Sequence, residues 1–148
     1  MDLKDISYSL RVAYIAKLKP LLKYNNVAVP IYDSFVPNTA PDYFVVIKDQ
    51  NEADDSLKCG FNTDVHVTTE VVTRFPPGSG SSSIRDNISS QLNSLICSTD
   101  PTKRLNLKPD FNVMNSIRTL SKPIDEFTTT GTVLRKVNIY KHTIQQLT

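Results

Sequence analysis

His66 and His142, Cys59 and Cys97, and the carboxylates Asp49, Glu52, Asp54 and Asp55 are the side chains that could ligate a metal or carry a proton. Their spacing offers little chemistry. A zinc site needs clustered ligands, and both histidines stand alone on stretches predicted to be strands, facing outward. The cysteines are far apart with no CxxC spacing, which reads as two unpaired thiols in a reducing compartment. The run from Asp49 to Asp55 could hold calcium only loosely. It lacks the glycine and terminal glutamate of an EF-hand, so a solvated acidic loop is expected. Asp64 and Glu70 share a strand but sit roughly 20 Å apart by the strand rise, too far to share one ion. No G-x-S-x-G turn or Cys/His signature marks a nucleophile.

PPGSGSSS (residues 76–83) precedes a helical pattern, and amides at a helix start can hold an anion. It lacks the lysine of a P-loop, so a turn with a serine cap is expected. Nucleic-acid signals are equally thin, with no aromatic RNP motif, no GXXG loop and no basic run. A net charge of +2 gives no large attracting field. Phosphate contacts by Arg74, Lys136 or Lys141 would be single and weak. The expectation is a chain without catalysis, cofactor or metal.

The elements are more legible than the chemistry. Leu3, Ile6, Leu10, Tyr14, Leu18 and Leu21 recur at helical steps and predict a helix from Leu3 to about Lys19. Asp2 is its expected N-cap, and Pro20 its stop or kink. Val12 and Ile15 lie among the charges of its other face, leaving room for a partner surface. A short strand over Val29–Tyr32 and an apolar, central one over Tyr43–Lys48 follow.

The segment from Asp64 to Phe75, DVHVTTEVVTRF, alternates with period two. Val65, Val67, Thr69, Val71, Thr73 and Phe75 face a core; His66, Thr68, Glu70 and Arg74 face outward. At ~3.3 Å per residue it spans roughly 40 Å, as much as the ~38 Å diameter of a domain this size, so it crosses the molecule or projects beyond it. Ile84, Ile88, Leu92 and Leu95 give a second helix an apolar stripe. Its polar face, with Asn87, Gln91 and Ser94, carries almost no charge, which suits burial against another subunit. Strands are predicted over Phe111–Leu120 and Thr130–Thr143, with Val133, Val137 and Ile139 on one face.

Length and composition bound the reading. The 148 residues, 39% hydrophobic and 22% charged, fit one globular domain over 1–148, and four glycines argue against many tight loops. No window has the ~18 apolar residues of a membrane helix, and the N-terminus lacks a signal peptide's basic start and apolar core. No membrane association is expected. The order α-β-β-β-α-β-β with short links predicts an α+β fold, a mostly antiparallel sheet with both helices on one face.

This layout resembles the tail-completion or tail-terminator (head–tail joining) proteins of tailed bacteriophages. The N-terminal helix LRVAYIAKLKPLL leads into VPIYDSFVPNTAPDYFVVI, a short strand, a proline-rich turn and a tyrosine-led apolar strand. DVHVTTEVVTRF, a Gly/Ser gap, the helix SIRDNISSQLNSLI and the closing strand GTVLRKVNIYKHTI are similar to the family in order. The PPGSGSSS gap and the NLKPDF and IDEFTT links depart from its pattern.

The resemblance implies a virion protein of the neck or tail, assembled in the host cytoplasm as a closed, commonly sixfold homo-oligomeric ring. Its partners would be other neck or tail proteins: a connector or portal-side ring, and a tail tube or hub. Genomic DNA would pass through without sequence-specific binding. Long strands could add to a neighbour's sheet, and head-to-tail contacts of that kind close into rings. Asp49, Glu52, Asp54 and Asp55 would suit a channel lining that repels DNA. Arg74, Asn87, Gln91, Ser94, Lys136 and Tyr140 are the expected subunit-interface residues. The alternatives are a small nucleic-acid-binding module using its sheet surface, an adaptor ring under the portal of a short-tailed phage, or an enzyme with no recognisable site.

Overall fold

A computed structural model describes residues 2–56 and 60–148; Cys59 lies outside them. Helix α1 spans Ser7–Leu21 and α2 Ser83–Ile96. The strands are β1 (Lys23–Tyr24), β2 (Val27–Ala28), β3 (Ile31–Asp33), β4 (Tyr43–Asp54), β5 (Asn62–Phe75), β6 (Phe111–Phe127) and β7 (Thr132–Gln146). β3 to β7 form one sheet in the order β3-β4-β5-β7-β6, antiparallel except for the parallel β3–β4 pair. The fold is α+β, as the element order predicts. Among the described residues no helix is long and apolar enough to cross a membrane.

α1 begins a turn later than its apolar pattern suggests. The Asp5 carboxylate accepts the Ser7 amide at 2.9 Å just ahead of the helix, whose N-cap position is Ile6 and not Asp2, and Leu3 is left exposed. That hydrogen bond also holds the Asp5 carboxyl below its ordinary pKa. Pro20 sits in the last turn. It cannot donate to the Ala16 carbonyl, and the helix stops one residue later at Leu21. Asn25 and Asn26, at φ 49° and 62°, make the tight turn of a β1–β2 hairpin that the sequence reading omits.

Both helices lie on one face of the sheet. Leu10, Tyr14 and Leu18 of α1 and Ile88, Leu92 and Ile96 of α2 bury against Val45, Ile47, Val65, Val67, Val71, Tyr140 and Ile144. The other face is not simply solvent. The proline-rich segment 34–42 folds over it, and a smaller cluster forms from Phe44, Val46 and Val72 with Tyr32, Val36, Ala40 and Val133 packed around it.

The second layer and the facing of β7 correct two outward assignments. Glu70 is buried, its carboxylate held by Lys48 and by Arg135 at 3.8 Å. On β7 it is the even residues, Leu134, Asn138, Tyr140, His142 and Ile144, that face the helices, while Val133, Val137 and Ile139 line the opposite face. His142 is therefore fully buried. β7 carries apolar residues at alternate positions on both faces, so hydrophobicity alone could not orient it.

Candidate functional site

The sheet's outer strands set the candidate site. β5, expected to cross the molecule or project beyond it, is paired along both sides, to β4 and to β7, so its long edge is satisfied within the chain. The open edge belongs to β6. This strand runs 17 residues, through the stretch expected to be a loop after Leu120, and pairs with β7 from Phe111↔Gln146 to Phe127↔Thr132. At ~3.3 Å per residue it extends on the order of 50 Å. Among the described residues no strand lies on its other side.

That strand is strongly apolar for an edge. Met114, Ile117, Leu120 and Ile124 are each 43–47% exposed, and Phe127 is 74% exposed. Two register irregularities, at Val113/Asn115 and Arg118/Leu120, produce the row. The second inserts Thr119, so Ile117 (opposite Lys141) and Leu120 (opposite Ile139) fall on the same, helix-free face although they are three apart. Without the bulge, period-two alternation would put them on opposite faces. Arg118 and Lys122 are exposed on β6 and have no carboxylate partner among the described residues. Asp125 and Glu126 are engaged, at 2.8 Å by Arg85 and at 3.3 Å by Arg135.

The opposite edge of the sheet is also partly open. β3 covers β4 only from Val45 to Ile47. Where it stops, Arg11 of α1 donates to the carbonyls of Ile47 (2.8 Å) and Lys48 (2.7 Å) and pairs with Asp33 at 3.2 Å. Beyond Lys48, residues 49–54 have β5 on one side and, among the described residues, no strand on the other. Asp49, Glu52 and Asp54 thus stand on a strand, and only Asp55 lies past its end; this corrects the expected loop. Antiparallel pairing with β5 drew this polar run into the sheet. Glu52 accepts from Ser7, Asp54 accepts from Ser56, and Asp49 has no ion-pair partner among the described residues.

The expected interface residues fare unevenly. Asn87 and Ser94 are exposed on α2 and line a shallow depression with Leu21, Ser90, Gln91 and Leu95. Gln91 works inside the chain: its amide nitrogen donates to the carbonyl of Lys23 and to Asn87 Oδ1, both at 2.7 Å, tying α2 to β1. Arg74 lies over the Phe44 ring at 5.0 Å, and Lys136 approaches Asp86 at 3.7 Å. Tyr140 is fully buried, and its hydroxyl bonds Asn93 Oδ1 at 2.5 Å. It faces the monomer's core, so it cannot belong to a subunit interface.

The fold also assembles a group that the sequence leaves scattered. His142 Nδ1 meets Ser116 Oγ at 2.7 Å, and its Nε2 meets the Tyr14 hydroxyl. A serine, a histidine and a tyrosine in a row can move a proton. All three are buried, however, and both ring nitrogens are occupied, so this chain of hydrogen bonds knits α1 to β7 and β6. Burial lowers the His142 pKa to about 4, with the charge of His66 adding to it, and burial raises the Tyr14 hydroxyl well above its ordinary value. His142 is neutral at pH 7, with one nitrogen donating and one accepting. Only spatial neighbours 128 and 26 residues away in sequence create this arrangement, and no local pattern could have shown it.

No family model and no curated protein matches this chain. Solved structures do. One chain from the "Virion of native gene transfer agent (GTA) particle" superposes with a TM-score of 0.62 over 95% of this chain and 91% of that one, at 13% identity. At that identity the likeness is one of fold: the same arrangement of helices and sheet occurs in a component of that particle.

Proposed function

We propose that this chain is a structural, non-catalytic subunit of a phage-type virion that forms a closed ring at the head–tail junction. It completes or caps the tail and surrounds the DNA passage. The ring is a homo-oligomer, sixfold as in the proteins the sequence resembles, stacked between a connector or portal-side ring and the tail tube or hub. DNA slides through it without base-specific contact.

The observation that carries this reading is the β6 edge. A 17-residue strand with unpaired backbone groups and a row of exposed apolar side chains is a liability in a monomer, which natural proteins ordinarily blunt or cover. Adding a strand from another subunit satisfies it. The shared fold with a virion component and the order of elements in the sequence support the same reading. The nucleic-acid alternative is weakened, because Arg74 lies over Phe44, Lys136 is drawn toward Asp86 and Lys141 toward Asp64.

Particles assembled without this chain test the role. Expected are DNA-filled heads and separate tails, and antibody against the chain should label intact particles at the joint. Normally joined particles lacking the protein, or label distributed along the tail, would overturn it.

A further inference from the structure

The two open margins of the sheet complement each other. Along β6 run the apolar side chains Met114, Ile117, Leu120 and Ile124, with the unpaired cations Arg118 and Lys122 between them. Along the outer side of β4, residues 49–54 carry Asp49, Glu52 and Asp54. Tyr8, near that acidic strand, is 81% exposed, and Phe35, just past the end of β3, is 76% exposed. Tyr8 and Asp49 share one open cleft with Arg11, Ser34 and Lys48. One margin is apolar and basic; the other is aromatic and acidic.

Strand direction is compatible as well. β4 and β5, β5 and β7, and β7 and β6 are each antiparallel, so β6 runs opposite to β4. A rotation about an axis along the strands preserves direction and brings the β4 of the next copy antiparallel to β6. A two-fold pairing of β6 with itself would bring one basic margin against another and leave the acidic β4 margin uncovered. The charges favour a head-to-tail contact, which closes into a ring.

Resting on the ring reading, we infer that the occupant of the β6 edge is a second copy of this chain, seated through its β4 segment Asp49–Asp54. Arg118 and Lys122 lie along its acidic strand, and the β6 apolar row, on the helix-free face, packs on the side of its Phe35. This puts Asp49 and Asp54 in the seam between subunits and not on the channel wall.

Two charge-reversed proteins test the seam. One carries Arg118→Glu and Lys122→Glu, the other Asp49→Lys and Asp54→Lys; circular dichroism and thermal melting confirm that each is folded. In the first both margins are acidic, and in the second both are basic. Each alone should lose the oligomer at a concentration where the unmodified chain is annular. An equimolar mixture should regain oligomers of alternating copies, read by native mass spectrometry. If either variant alone remains annular, or if the folded pair fails to co-assemble, the seam lies elsewhere while the ring stands. If the unmodified chain stays monomeric even with its neck and tail partners, the ring reading falls and takes this inference with it.

Discussion

His142 shows how much a single side chain can weigh in this small protein. Its folded pKa is depressed, from the ordinary 6.5 to about 4, because burial disfavours the imidazolium. As pH falls below about 6.5 the unfolded chain takes up a proton that the folded chain refuses. Stability is therefore complete above that pH and is lost as pH drops toward 4. A shift of that size corresponds to about 3 kcal/mol. Urea unfolding should show a midpoint that declines between pH 6.5 and 4.5, and His142→Gln should flatten that decline. Tyr14→Phe removes the hydroxyl that meets Nε2 and leaves a buried ring nitrogen without a partner. It should cost about 1–3 kcal/mol in the same assay at pH 7.5, where the histidine is neutral in both states.

Among the elements, the distal half of β6 is tied directly to α2 through Arg85. Arg85, buried in the first turn of α2, donates to Asp125 at 2.8 Å and to Asp86 at 3.1 Å, holding the far end of the β6–β7 hairpin against the helix. Asp125 is more than a third exposed, so the pair itself stabilises modestly, by about 1 kcal/mol or less. Its effect should be local. Arg85→Ala should speed amide hydrogen exchange over residues 120–128 and leave residues 111–117 unchanged; equal acceleration along all of β6 would show that the tether does not act there. The same strand marks the limit of what alternation can reveal. Its second half, SKPIDEF, has the proline, acids and polar residues of a loop, and becomes strand only because β7 supplies a continuous partner. The bulge at Thr119 then sets Ile117 and Leu120 side by side, a placement invisible to period-two counting.

At the scale of the molecule, the α+β class, the element order and the helix-covered face were legible because α1, α2, β4 and β5 have strong apolar periodicities. The second sheet layer was not. Segment 34–42 holds two of its apolar contacts, Val36 and Ala40, in what looks from sequence like an ordinary proline-rich turn. For the same reason Glu70 was assigned to solvent when it is closed in by Lys48 and Arg135. Of the expected interface, Tyr140 belongs to the core and Gln91 to an internal bond, while the open edge is that of β6; β5, for all its length, has its hydrogen bonds already made.

Among the described residues no strand covers the outer side of β6 or of β4 beyond Lys48, and assembly through those margins is the central claim. Native mass spectrometry of the purified chain, alone and mixed with its neck and tail partners, addresses it most directly. A single closed oligomer of fixed copy number is expected, dissociating when Ile117 and Leu120 are replaced by lysine. A species that stays monomeric at every concentration and in every mixture would contradict it.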